Sequence, residues 1–405
     1  MFKSIKNKFA FQTIEYALID IVSKMFKVLF IPALAYLIDK DTLGQFSLFM
    51  ALIPFITISL GLNVPNFFRH LVLKKPKNIG NLFSTFIFYS AIPFLTAITI
   101  CLCFQSYYYL MAVLVSYTFN IGIAYNFYLL GKDNRYLYLR ETLIINTIIY
   151  GTTLLILLNF ENKFNDIHTL LFLLLISSFF AVFYIIYRLL KLKLLSLKLV
   201  SRTSLNYLIK KNIPLIFHGL SGFGLIYADR FFLKYYFNND VVANYTVIYS
   251  YTLIFSFILV SINNNVIPKY YKLLEHGSEK KKLEKNIIFF SLVSLLLAFP
   301  IYYIASVLVP NNIDFNFWTF FIICMSYFFI SVYNIKANIL LFKEKTFLIA
   351  FLSLIALSFN VILNIFFIPR YGEIGAAFST LISYIILSIL YFFKTRKYAK
   401  DISAV

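Results

Sequence analysis

The chain has 405 residues, of which 61% are hydrophobic and only 13% charged, and it carries a formal net charge of +20. A soluble globular domain is nearer half apolar and about a quarter charged, so this composition excludes one and points to an integral membrane protein. The basic excess has no soluble domain in which to form a nucleic-acid surface. It is the excess expected of loops that fix membrane topology.

Stretches of about 20 mostly apolar residues are long enough to cross a bilayer. They are predicted near 14–37, 43–63, 82–104, 107–130, 141–159, 167–187, 213–236, 241–267, 287–309, 315–341, 346–368 and 374–393. The fold class expected is an all-α integral membrane protein with about twelve transmembrane helices.

Lys3, Lys6 and Lys8 precede the first segment as in a signal sequence. The apolar run that follows is too long for one and carries Asp20, Lys24 and Lys27, so it is expected to be retained as a span. Those three charges share one helical face by their spacings. Asp39-Lys40-Asp41 follows in the first short connection. An Asp-x-Asp pair can hold a divalent metal in a membrane glycosyltransferase. Here the loop is a few residues long and no large catalytic domain follows it.

Basic residues then alternate between connections. Arg69, Lys74, Lys75 and Lys77 follow the second span, and Lys132, Arg135 and Arg140 the fourth. Lys191, Lys193, Lys198, Arg202, Lys210 and Lys211 follow the sixth, Lys269 to Lys285 the eighth, and Lys394 to Lys400 the last. This bias sets both termini on the cytoplasmic side. The three cysteines, Cys101, Cys103 and Cys324, lie inside apolar runs without metal-ligand spacing and read as packing residues.

Asp41-Thr-Leu-Gly-Gln-Phe-Ser-Leu-Phe49 enters the second span, and Asp240-Val-Val-Ala-Asn-Tyr-Thr-Val-Ile248 enters the eighth. Six spans separate the copies, so the halves have the same orientation and are related by a parallel pseudo-two-fold axis. The domains expected are a six-helix lobe over 1–190, a basic cytoplasmic linker over 191–212 and a second six-helix lobe over 213–405.

Ionisable groups inside a bilayer seek a cavity or a partner, because exposure to lipid costs about 2.5–3.5 kcal/mol on insertion scales. The seventh segment carries His218, Asp229 and Arg230, and the tenth carries Lys336. A cavity lined by Lys24, Lys27, Arg230 and Lys336 suits an anion such as a phosphate or pyrophosphate. Asp20, Asp229 and His218 then balance charge or couple an ion. The bland alternatives are an Asp229–Arg230 ion pair at the helix end, a Lys336 that snorkels, an Asp20–Lys24 helical pair, and a hydrogen-bonded packing histidine. Gly219, Gly222 and Gly224 fit a deformable helix or a close-packing seam. Finally, two apolar runs flank the turn Pro369-Arg370-Tyr371-Gly372. The first run carries Asn360 and Asn364, and the second opens on Gly375-Ala376-Ala377.

With these residues together, the chain resembles Wzx-type polysaccharide (O-antigen) flippases of the multidrug/oligosaccharidyl-lipid/polysaccharide exporter superfamily, whose fold is MATE-like. The resemblance rests on Ile31-Pro32, Leu43-Gly44-Gln45-Phe46-Ser47, Gly61-Leu62 and Arg69 in the first half. In the second it rests on Pro214, Asp229-Arg230 and Asn244-Tyr245, and above all on Asn360, Asn364, Pro369, Tyr371-Gly372 and Gly375-Ala376-Ala377. Ala243 departs from the family's usual glycine. Lys24 and Lys27 stand where charge placement varies among relatives.

The resemblance implies two lobes around a cationic cavity in a bacterial cytoplasmic membrane. The partner it implies is an undecaprenyl-pyrophosphate-linked oligosaccharide, carried to the outer leaflet by alternating access. Proton or sodium coupling and a polysaccharide polymerase as neighbour in O-antigen or capsule synthesis belong to the same expectation. No Walker-type loop, catalytic triad or cofactor fingerprint occurs, so no enzymatic activity and no cofactor are expected. A MATE-like drug exporter, a membrane glycosyltransferase and a polymerase are the competing readings. A drug exporter would favour acidic residues for cationic substrates, and a polymerase would show a long outer loop.

Overall fold

The computed structural model describes residues 15, 18–19, 21–65, 68, 72, 78–132, 134–159, 166–276, 280–343 and 345–400. Among them every regular element is helical. In chain order these are α1 (Met25–Leu37), α2 (Lys40–Leu60), α3 (Ile79–Cys103), α4 (Tyr107–Gly131), α5 (Arg135–Asn146), α6 (Thr152–Asn159), α7 (Ile167–Lys191), α8 (Arg202–Tyr236), α9 (Asn239–His276), α10 (Lys280–Ser294), α11 (Ala298–Leu308), α12 (Phe317–Phe342) and α13 (Thr346–Lys400). A π-helical turn, Thr147–Gly151, joins α5 to α6 into one span, and a 3-10 turn joins α10 to α11.

Nine helices among the described residues are long and apolar enough to cross a membrane, with α13 counted once. Its second arm, α1 and α8 complete the twelve-helix plan. The chain is a multi-pass membrane protein. Its outward surface is apolar, as at Phe180, Phe183 and Val307, while its interior is rich in Ser, Thr and Asn. Lipid tails are as apolar as leucine, so burying leucine gives helices no advantage there. Small and polar side chains that approach closely hold them instead.

The chain divides into two compact units, Leu37–Phe223 and the segment up to Tyr36 together with Gly224–Val405. In the first, Asp39 caps α2: the Thr42 amide donates to Oδ2 at 2.9 Å and the Thr42 hydroxyl to Oδ1 at 2.7 Å. Asp41 accepts from the Gln45 side chain at 2.6 Å. The Asp-x-Asp pair is therefore occupied in starting a helix. α2 ends at a corner where Leu62 and Asn63 both adopt left-handed backbone, with φ of 53° and 54°. The Asn63 side-chain Nδ2 donates to the Leu215 carbonyl of α8 at 2.8 Å. The basic linker after α7 is pinned to α3, with Ser84 donating to the Leu194 carbonyl at 3.0 Å and the Ser201 amide donating to Thr85 at 3.0 Å.

A buried carboxylate joins several helices of this unit. Glu141 on α5 is fully buried. It receives a forked pair from Arg188 of α7, Nε to Oε2 at 3.0 Å and Nη2 to Oε1 at 2.9 Å. Arg140 (2.7 Å), Tyr125 of α4 (3.1 Å) and Tyr184 of α7 (2.9 Å) add three more bonds. A carboxylate so surrounded ties three helices at one level. Beyond the π turn, Thr152 and Thr153 both donate to Ser177 of α7, at 2.9 and 3.1 Å.

In the second unit, α1 meets α11 through the Tyr36 hydroxyl, which donates to the Leu308 carbonyl at 2.5 Å. α13 is two arms folded at Gly372, its one non-helical residue, with φ 54° and ψ −129°. The sequence places the turn over Pro369–Gly372. The first arm in fact runs through Pro369, because a proline near a helix end forfeits one hydrogen bond without ending the helix at once. The fold-back is set by Tyr391, whose hydroxyl donates to the Ile349 carbonyl at 3.4 Å. Leu225, Leu352, Ala356, Tyr384 and Leu387 pack with them into one apolar core.

Candidate functional site

Alpha-helical neighbours in sequence point about 100° apart, since a turn holds about 3.6 residues. Asp229 and Arg230 on α8 accordingly reach different partners on α9. Asp229 is fully buried and accepts at Oδ2 from the Tyr245 hydroxyl at 2.5 Å and from Thr380 of α13 at 3.2 Å. Its Oδ1 has no hydrogen-bond partner. Arg230 is 4% exposed. Its Nε donates to Thr246 at 3.3 Å and its Nη1 to the Ile226 carbonyl at 3.0 Å. Its guanidinium faces the rings of Tyr249 at 4.7 Å, Tyr227 at 5.1 Å and Tyr245 at 5.8 Å. Aromatic faces hold a cation without neutralising it. Tyr327 of α12 continues the aromatic cluster, 6.2 Å from Tyr249 between ring centres.

Asn360 and Asn364 lie on the first arm of α13. Both are fully buried, and Asn364 donates to Asn360 at 3.1 Å. The Asn360 nitrogen and the Asn364 oxygen are left without partners. Buried carboxylate and amide atoms without partners, as at Asp229, Asn360 and Asn364, are unusual in a protein interior. The spare Asp229 oxygen can accept a proton or contribute one oxygen ligand to a small hard cation.

The remaining predicted site residues lie in other settings. Lys336 of α12 is paired with Glu284 of α10 at 2.7 Å. Lys24 is half-buried, its ammonium 4.6 Å from the centre of the Phe257 ring. Lys27 presents an exposed side chain. His218 is half-buried and belongs to the other compact unit. Asp20 lies outside the described residues, as do Arg69, Lys74, Lys75 and Lys77. The structure thus gathers Asp229 and Arg230 into one cluster, while Lys336, Lys24 and Lys27 each meet different surroundings. Thr380, Tyr249 and Tyr327 join the cluster unannounced by the sequence. Hydroxyls at helical spacing are common in spans, and only the neighbouring helix shows which of them turn inward.

No protein-family model and no curated protein matches the chain. Solved structures do. A point mutant of the Vibrio cholerae MATE transporter VcmN superposes with a TM-score of 0.68 at 13% identity, over 96% of this chain and 97% of that one. The same transporter in its bent form gives 0.67 at 12% identity, over 98% of each chain. The inward-facing conformation of a multidrug resistance MATE family transporter of the MOP superfamily gives 0.65 at 13%, over 95% and 96%. The chain therefore has the MATE transporter fold along nearly its whole length.

Proposed function

We propose that this protein is a flippase. It carries a lipid-linked oligosaccharide, on undecaprenyl pyrophosphate, from the cytoplasmic to the outer leaflet of a bacterial cytoplasmic membrane for O-antigen or capsule synthesis. It works by alternating access between two six-helix lobes, 1–190 and 213–405, joined by the linker 191–212, with both termini cytoplasmic. The observation that carries the reading is the buried, tyrosine-lined Asp229–Arg230 cluster in a chain of MATE fold and strongly basic character. Arg230, Lys336, Lys24 and Lys27 attract the phosphorylated headgroup. Asp229, with its spare oxygen, is the coupling group for a proton or sodium ion, with Asp20 and His218 as further charge-balancing groups.

A multidrug exporter is the second reading, favoured by the superposition on a multidrug resistance transporter. One experiment separates them. Deleting the gene is expected to strand lipid-linked glycan on the inner leaflet and leave drug tolerance unchanged. Restoring the gene with Lys24→Ala and Lys27→Ala together, or with Asp229→Asn, is expected to leave transport impaired although the protein still inserts. Glycan that reaches the outer leaflet at the normal rate after deletion, with no redundant transporter present, ends the flippase reading.

A further inference from the structure

A second polar cluster in the unit that contains Asp229 lies where α9 and α12 end and α10 begins. Glu284 accepts from the Tyr270 hydroxyl at 2.5 Å through Oε1 and from the Lys336 ammonium at 2.7 Å through Oε2. The side chains of the pair retain 13% and 18% exposure for Glu284 and Lys336. That separates it from Glu141, which is fully buried and saturated by donors on both oxygens. An incoming anion can therefore compete with Glu284 at its open edge, whereas Glu141 offers no exposed edge.

The surroundings of Lys336 carry a further cation. Its ammonium lies 5.9 Å from the Phe392 ring, and the Arg396 guanidinium lies 4.5 Å from the same ring. Two cations thus share one aromatic side chain opposite a single carboxylate, and exposed Lys282 and Lys285 flank that carboxylate on α10. The cluster keeps a net positive charge after Glu284 is counted. Lysine is a compact charge on a flexible stem that changes partners readily, whereas arginine offers a planar fork matched to phosphate oxygens. The exposed Phe392 and Phe393 supply apolar surface beside that fork.

We propose that Lys336, Arg396 and Phe392 form a receiving site for the phosphate group of a lipid, and that Glu284 is its resident stand-in anion. Glu284 holds the Lys336 ammonium while the site is empty. An arriving pyrophosphate carries more charge than a carboxylate and engages Lys336 and Arg396 together, so it displaces Glu284. The displaced carboxylate keeps its bond from Tyr270. The identity of the natural ligand rests on the flippase reading; the exchange itself does not.

The test is titration of the purified full-length protein in lipid nanodiscs with farnesyl pyrophosphate, with phosphatidylglycerol in a parallel arm. Removing the competitor by Glu284→Gln is expected to tighten farnesyl pyrophosphate binding about tenfold, the scale of one lost charge-assisted hydrogen bond. Arg396→Ala is expected to weaken it by a similar factor. Glu284→Asp, which keeps the charge but shortens its reach, is expected to tighten binding less and covers the case in which Glu284→Gln folds poorly. Equal tightening toward phosphatidylglycerol supports the site with bulk membrane lipid as its source. Tightening confined to farnesyl pyrophosphate supports the lipid carrier. Unchanged or weaker binding in a folded Glu284→Gln or Glu284→Asp protein overturns the proposal. Normal leaflet transport after gene deletion, with the binding change intact, overturns the flippase reading alone.

Discussion

Glu141→Ala is expected to destabilise the Leu37–Phe223 unit by about 3–5 kcal/mol, the range for removing one partner of a buried ion pair. The loss is large because of what stays behind. Arg188 keeps its charge at 15% side-chain exposure, and its forked acceptor is gone. The hydroxyls of Tyr125 and Tyr184 lose their acceptor as well. Glu141 is fully buried, so removing it leaves these donors with no bulk water to replace the lost bonds. Arg140 is 59% exposed, so Arg140→Ala removes a solvated contact and is expected to shift stability by less than about 1 kcal/mol. Glu141→Gln keeps the shape and some hydrogen bonds and is expected to fall between them. Unfolding of the purified protein in detergent, followed by tyrosine fluorescence or heat, gives the order. If Glu141→Ala and Arg140→Ala prove equally mild, the carboxylate is not what fixes the three helices.

The contrast between Glu141 and the hairpin shows what the sequence makes legible. Hydropathy places most spans to within a few residues because the bilayer demands uninterrupted apolar length. It misses the polar extensions of α8, which begins at Arg202 rather than near 213, and of α9, which runs to His276 rather than 267. The hairpin is visible because Asn360, Asn364 and Gly375 are conspicuous in an apolar run. Glu141 is hidden by the same logic. It stands at the very first position of a predicted span, beside Arg140, and α5 in fact begins earlier, at Arg135. Its partners Tyr125, Tyr184 and Arg188 come from two other helices, and nothing in their spacing announces that they converge. Glu284 is concealed likewise, inside the lysine-rich stretch from Lys280 to Lys285. The charges Asp229, Arg230 and Lys336 stand out one by one. Which of them share a cluster is a matter of helix rotation, and composition does not encode that.

Gly375→Val is expected to disrupt the α13 hairpin more than any other single change in that element. A Cβ at position 375 would stand 2.3 Å from the Phe367 carbonyl oxygen and 2.6 Å from its carbon. Those atoms are backbone of the opposite arm, and they cannot rotate away as a side chain would. The arms must separate where Ala376 and Ala377 are themselves fully buried. Gly372→Ala acts differently. It leaves space but forces an L-residue into φ 54° and ψ −129°, a strain of about 1–3 kcal/mol.

The two variants therefore separate packing from backbone strain, with Gly375→Val the more severe. The effect also travels to the site. Thr380 follows Gly375 on the same arm and donates to Asp229, so splaying the arms draws that hydroxyl away from the carboxylate. Gly375→Ala, the milder change, is expected to impair transport in protein that still inserts, and to speed amide hydrogen exchange in both arms near the turn. Normal transport and unchanged exchange in Gly375→Ala would mean that the arms tolerate separation, and that the alignment of Thr380 with Asp229 does not depend on the close approach at Gly375.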